Sequence, residues 1–271
     1  MSLIETTEIT MSVERLSRDL RVASKTLSDA EARFLVDAYY QMQGNRIRSN
    51  NQIRQMKEEP HEVLGWLSIQ ADILEKSVRA SLDVNSDTHP IGQRIRTVVG
   101  IGPVIAAGLI AHIDINPAAT AGAIWRFAGL DPTSTWGKGK KRPHNAKLKT
   151  LCWKLGESFV KVSNHDDDLY DALYKTRKEI ESKKNEEGLF SEQAKQKLEK
   201  YNIDKKTDAY KAYIIGKLPP AHIHARAKRY AVKLFLSHLQ EVWYRHEFGK
   251  LPPAPYVMVH EGHAHKIEPP F

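Results

Sequence analysis

Arg94-Ile-Arg-Thr-Val-Val-Gly-Ile-Gly-Pro-Val-Ile-Ala-Ala-Gly-Leu-Ile-Ala-His-Ile113 is the stretch on which the reading of the fold turns. Gly100 and Gly102 stand one residue apart between two apolar runs, and Pro103 follows them. Glycine reaches backbone angles closed to other residues. Proline fits the first turn of a helix, where its missing N–H removes no bond. The stretch therefore reads as a short helix, a tight Gly-Ile-Gly turn and a second helix packed through Val104, Ile105, Leu109 and Ile110. Gly102 is expected to need a glycine-only conformation, so Gly102→Val should disrupt the turn. Amides at Gly100, Gly102 and Val104 would face outward at the second helix's start, an arrangement suited to a phosphate oxygen. That is helix-hairpin-helix logic, with nucleic acid as the partner. An ordinary helical hairpin without a ligand fits the same window.

The charge distribution favours the first of these. The 271-residue chain carries a net +8. Residues 1–89 hold 11 basic and 14 acidic side chains, whereas residues 90–161 hold 11 and 3. Residues 162–220 balance at 12 and 12, and residues 221–271 hold 7 and 4. The glycine turn thus lies in the most basic segment, and such an excess draws polyanions by neutralising phosphates and releasing counterions. The single cysteine, Cys152, excludes an intramolecular disulfide and a cysteine-based metal cluster. Residues 1–10 lack a basic start followed by an apolar core, and no run of 18 apolar residues occurs. The expectation is a chain without signal peptide or membrane partner, with the cytoplasm as default compartment.

Outward from the turn, the sequence divides into four segments, all helical or irregular, which predicts an all-α protein with long C-terminal helices. Residues 1–89 read as a helical scaffold or dimerisation region. Leu16, Leu20, Leu27, Phe34, Leu35 and Ala38 recur at helical intervals, and Ser28 with Glu31 forms a capping box. A polar helical interval, Gln43 to Glu59, leads to a helix opened by Pro60 with Val63, Leu64, Leu67, Ile69, Ile73 and Leu74 as its apolar positions. Asp83 to Pro90 reads as a linker. Residues 90–162 form the helix-hairpin-helix-like domain, with Trp125 and Phe127 supplying much of its core. Within it, Gly137 and Gly139 keep Thr133 to Asn145 out of helix. Lys138, Lys140, Lys141 and Arg142 make that stretch a basic loop able to follow a phosphate backbone without reading bases. His144 and Lys147 carry the loop into a helix over Asn145 to Val162, whose apolar side includes Leu148, Leu151, Cys152, Leu155 and Phe159. Those positions make Cys152 a buried hydrophobe rather than a nucleophile.

Val99-Gly-Ile-Gly-Pro-Val-Ile-Ala-Ala-Gly-Leu109, then Phe127-Ala-Gly-Leu-Asp-Pro132, the basic loop and Asn145-Ala-Lys-Leu-Lys-Thr-Leu151 together resemble the C-terminal domain of the IS116/IS110/IS902 transposase family over about residues 94–160. The resemblance implies a DNA recombinase in which this domain supplies a serine nucleophile shortly after the Gly-Leu-x-Pro step. Ser134 is the one serine in the matching loop, flanked by Thr133 and Thr135. It further implies an N-terminal RNase-H-like domain with four acidic metal ligands. Residues 1–89 depart from that pattern: they are too short and contain no alternating strand run. No cofactor is therefore expected, a divalent metal entering only through a catalytic partner subunit.

Residues 163–247 read as a helical arm and a basic helix. His165-Asp-Asp-Asp-Leu-Tyr170 suits the acidic start of a helix running to about Lys184. A helix over Ser191 to Tyr201 follows, and Ala221 to Glu247 carries Arg226, Arg229 and Lys233 on one face. That stripe either follows a phosphate backbone or pairs with the acidic groups of the arm. Residues 248–271 read as an extended Pro/His-rich tail, mobile and polar, whose His260, His263 and His265 are spaced for a metal but lack a further ligand. Three functions stay open: a DNA-binding protein contacting phosphates largely without sequence readout, with DNA favoured over RNA; a serine recombinase or nuclease component using Ser134 with a partner subunit; and a structural protein assembling as a homo-oligomer through its N-terminal or C-terminal helices.

Overall fold

The computed structural model describes residues 14–56, 61–137, 139–162, 165, 168–253 and 266–271. Its elements are α1 (Arg18–Ala23), a 3-10 turn (Ser24–Thr26), α2 (Asp29–Gln55), α3 (Glu62–Thr88), α4 (Pro90–Ile95), α5 (Pro103–His112) and α6 (Ala121–Phe127). After these come α7 (Ala146–Lys161), α8 (Leu169–Glu186), α9 (Ser191–Lys200), α10 (Asp208–Ile214) and α11 (Pro220–Phe248). No strand occurs among the described residues, so the fold is all-α. No helix among them is long and apolar enough to cross a membrane.

The architecture follows from α5. Val104 to Leu109, Ala111 and His112 are all buried, and a helix apolar on every side must be enclosed. The antiparallel pair α2 and α3 covers one side, and α4 and α7 cover the other. Beyond α7 lies α11, which packs on α8, α6 and α4 as well. Ile91 and Ile95 of α4, Ile105 and Leu109 of α5, Leu148, Leu151, Leu155 and Phe159 of α7, and Phe235 and Leu239 of α11 belong to one apolar cluster. At its centre the Phe159 ring stacks on Tyr170 at 4.8 Å, with Phe235 edge-on to both. A second cluster, Val36, Leu82, Val104 and Ala107, ties α2 and α3 to α5. The core therefore runs continuously across residues 89/90 and 162/163.

Local signals explain the helix starts. The Ser28 side chain accepts from the Glu31 amide while Glu31 reaches back to the Ser28 amide, as the capping box requires. Pro103 occupies the first turn of α5, Thr120 caps α6 and Asn145 caps α7. Gly249, at φ 65°, ends α11.

Four expectations need correction. Asp83 to Thr88 is not a linker but the last turns of α3, held because Leu82 and Ser86 are buried and Asp83 accepts from Arg96. Val63, Leu67, Ile69 and Leu74 do not face a core; they are exposed. Phe127 is likewise exposed, at 43%, and Ile124 fills the place beneath α6. Residues 266–271 are not a free tail. Phe271 packs 5.9 Å from Phe235, and the Ile267 carbonyl accepts from His238 Nε2 at 2.8 Å. The histidines at 260, 263 and 265 lie outside the described residues.

Candidate nucleic-acid interface

The glycine turn is built as its sequence suggests, but on a different glycine. Gly100 has φ 93°, the left-handed region that favours glycine. A Cβ there would meet Val162 at 3.2 Å and Phe159 at 3.3 Å. The Ser158 hydroxyl donates to the Gly100 carbonyl at 2.6 Å, fixing the turn to the last turns of α7. Gly102 is extended, at φ −89° and ψ 176°, and a Cβ there meets nothing within 4 Å. The expected glycine-only conformation thus belongs to Gly100. Val104 has its side chain in the core. A cavity of about 720 Å³ beside the turn is lined by Thr97, Val99, His165, Asp168, Asp171 and Lys175, among others. Burial, with Asp171 alongside, raises the pKa of Asp168. The surroundings of this turn therefore include carboxylates, which do not favour a phosphate.

The basic loop sits elsewhere. Residue 158 backs the Gly-Ile-Gly turn, whereas the loop enters α7 at Asn145. Thirteen residues of helix separate these points, about 20 Å. Charge and turn are adjacent in sequence, and the fold draws them to opposite ends of α7.

At the α7 N-terminus the loop is held by its own side chains. Asp131 Oδ1 accepts from the Thr133 amide (2.9 Å) and hydroxyl (2.7 Å), and Oδ2 accepts from Arg126 Nε at 3.1 Å. The Thr133 bonds, with Arg126, keep the Asp131 carboxyl below the usual range. Gly129, at φ 67°, leaves room for the His144 ring, which would lie 2.8 Å from a Cβ. The Asn145 amide donates to the Phe127 carbonyl at 2.9 Å, closing the loop's base. Further out, the exposed Trp136 donates from Nε1 to the Lys140 carbonyl at 2.7 Å, and the Arg142 guanidinium lies 5.3 Å from its ring. These interactions fix one turn of loop with Lys140, Lys141 and Arg142 exposed around it. Burial and the nearby Lys149 and Arg142 lower the pKa of His144. The positive charge at neutral pH therefore comes from the lysines and arginines.

The α11 stripe divides. Lys233 Nζ lies 3.9 Å over the Trp125 ring, whose Nε1–H donates to the Lys233 carbonyl at 2.9 Å. Burial lowers the Lys233 pKa, and Asp131 opposes that shift; its contacts are with Trp125 of α6. Arg226 instead pairs with Glu181 at 2.6 Å, reaches Gln193, and covers Phe190. Arg229 lies between them, exposed. Lys147 pairs with Asp37 of α2. Lys138 lies outside the described residues.

Ser134 is anchored by its amide, which donates to the Asp131 carbonyl at 3.4 Å. No hydrogen bond joins its hydroxyl to His144 or to any other base among the described residues. Cys152 is buried and its thiol pKa is pushed up to about 12, so it is no nucleophile. No group of three His, Cys, Asp or Glu side chains among the described residues is arranged to hold a metal.

Arg126, Trp136 and Lys149 join the cluster although the sequence alone does not single them out as site residues. Trp136 gives no such signal in sequence, because an exposed indole N–H can be satisfied by water, and its bond to the Lys140 carbonyl follows from the path of the loop. Arg126 reaches Asp131 only because α6 ends at Phe127, which its sequence spacing does not display.

No match was found among curated proteins or solved structures. The segment that carries this geometry, residues 92–171 from α4 to the start of α8 and just under a third of the chain, matches the transposase IS116/IS110/IS902 family.

Proposed function

We propose that this protein binds nucleic acid, DNA in preference to RNA, through the loop at the N-terminus of α7, and contacts the phosphate backbone largely without reading sequence. The observation that carries this is the grouping of the exposed Lys140, Lys141 and Arg142 on one loop, with the exposed Lys149 following in the first turn of α7. Asp131 is engaged there by Arg126 and Thr133 rather than opposing them. Cations grouped in this way neutralise phosphates, and planar guanidinium groups bind phosphate oxygens in pairs. The transposase match over residues 92–171 supports nucleic acid over other polyanions. Arg226 is a structural ion pair in this reading, and the Gly100 turn shapes the fold without contacting the ligand. Fluorescence anisotropy with labelled duplex DNA, single-stranded DNA and RNA, titrated with salt, tests the proposal. Binding that weakens steeply with salt is expected; no binding to any of the three at low salt would sink it.

A further inference from the structure

The solvent side of α7 carries a tryptophan. Leu148, Leu151, Cys152, Leu155 and Phe159 fill the buried side of this helix, while Lys149 and Trp153, one turn apart, are exposed. Trp153 is 57% exposed, more than any other tryptophan of the chain. The indole N–H groups of Trp125 and Trp136 are donated to carbonyls, whereas that of Trp153 makes no hydrogen bond among the described residues. Cations edge its ring. Lys154 Nζ lies 5.5 Å from the centroid, and Lys228 Nζ, arriving from α11, lies 5.8 Å from it. Lys228 is itself buried and pairs with Glu157, the one acidic residue of α7. Lys149 and Lys154 make no ion pair among the described residues. The basic loop enters the same helix at Asn145, eight residues before Trp153, or about 12 Å along the axis.

Charge decides what covers this ring. An apolar protein surface laid on Trp153 would desolvate Lys149 and Lys154 without pairing them, which is costly. A flat aromatic face set among cations instead matches a strand in which bases alternate with phosphates. In a closed duplex the base faces are stacked on one another and no side chain can reach them. We propose that Trp153 is a stacking platform for an unpaired base of the nucleic acid whose backbone the α7 loop holds. The inference rests on the phosphate contact proposed above and adds the form of the ligand: a single strand or a locally opened one, rather than closed duplex. Every base has a π face, so stacking tolerates sequence, in keeping with a contact that does not read bases.

The test compares two labelled DNA strands of equal length by fluorescence anisotropy: oligothymidine, and an abasic strand with the same phosphates and no bases. The wild type should bind oligothymidine about 5- to 150-fold more tightly, the contribution of one stacked base. Trp153→Ala should bring oligothymidine down to the abasic affinity at unchanged melting temperature and salt slope, since the ring is exposed. Trp153→Phe should keep part of the preference. Binding of the abasic strand reports the phosphate contact alone, so the two readings fail separately. Equal wild-type affinity for the two strands, as a surface built for an acidic protein would give, overturns the stacking and leaves the phosphate contact standing. A Trp153→Ala chain that keeps the full preference, or that loses affinity for both strands alike, overturns it as well. No binding to either strand overturns both readings.

Discussion

Gly100 and Gly102 differ in what they ask of the backbone, and the difference is measurable. At Gly100 a valine meets a left-handed φ and close approaches of 3.2–3.3 Å to Val162 and Phe159. Strain of this kind costs about 1–3 kcal/mol, and Gly100→Val should lower stability by at least that in urea melts. Gly102→Val meets open space on an extended backbone. It loses only a favourable N-cap residue, a fraction of the Gly100 cost. Equal losses at the two positions would contradict the turn described here. Two glycines and a proline are enough to read a turn from sequence. Which glycine holds the left-handed angle depends on Ser158, Phe159 and Val162, more than fifty residues away, and no local pattern carries that. Trp136 supports a second residue-level prediction. Its ring and the Lys140 carbonyl hold the loop in shape, so Trp136→Ala should weaken binding by loosening the loop while leaving every cation in place. The slope of log K against log salt should stay at its wild-type value as the affinity falls, which three salt concentrations suffice to show.

Among the elements, α7 is where sequence and structure agree best, because its apolar positions recur at helical spacing and its caps are local. Leu148, Leu151, Cys152, Leu155 and Phe159 are all buried as that pattern predicts. Phe159→Ala removes the ring stacked on Tyr170 and should cost about 3–5 kcal/mol in urea melts. A loss below about 1 kcal/mol, outside the range for a buried aromatic, would show that the centre of the core is elsewhere. The α11 stripe is legible in sequence only as an ambiguity, and burial resolves it by position. Arg226→Ala takes one of two cations from the buried Glu181 and leaves it Arg177 alone, so it should lower the melting temperature more than Arg229→Ala does while leaving the salt slope of binding intact. The outer halves of α2 and α3 defeat a periodicity reading for a physical reason. An apolar stripe reads the same in sequence whether or not the chain covers it, and here Val63, Leu67 and Leu74 stay exposed.

Across the whole molecule, burial sets the pH response. Burial lowers the histidine pKa at His89, His112, His222, His224 and His238. His238 shows the geometry behind this. Its Nε2–H donates to the Ile267 carbonyl, leaving Nδ1 to accept from the Tyr170 hydroxyl at 2.7 Å, an arrangement only the neutral ring can make. A histidine whose pKa is lower folded than unfolded contributes stability that is complete above its unfolded value, about 6.5, and is lost as pH falls below it. The melting temperature should therefore hold between about pH 8 and 7 and decline from about pH 6.5 toward 5. His238→Gln should flatten part of that decline. A melting temperature that rises on acidification would contradict the burial of these rings. The same long-range packing explains why the candidate site is only half legible in the sequence. The loop's charges are written in consecutive residues, but its distance from the Gly100 turn and the seat of Lys233 over Trp125 depend on how α5, α6, α7 and α11 stack.

If the loop at the α7 N-terminus contacts phosphate as proposed, a variant stripped of the loop's cations must lose salt-dependent binding. Lys138, Lys140, Lys141 and Arg142 are replaced together by alanine, and thermal melts are recorded beside isotherms on duplex DNA at three or more salt concentrations. The expected result is an unchanged melting temperature, weaker binding to every sequence, and a dependence of log K on log salt flattened by up to about 0.9 for each phosphate no longer neutralised. A variant that melts, binds and responds to salt as the wild type does would contradict it.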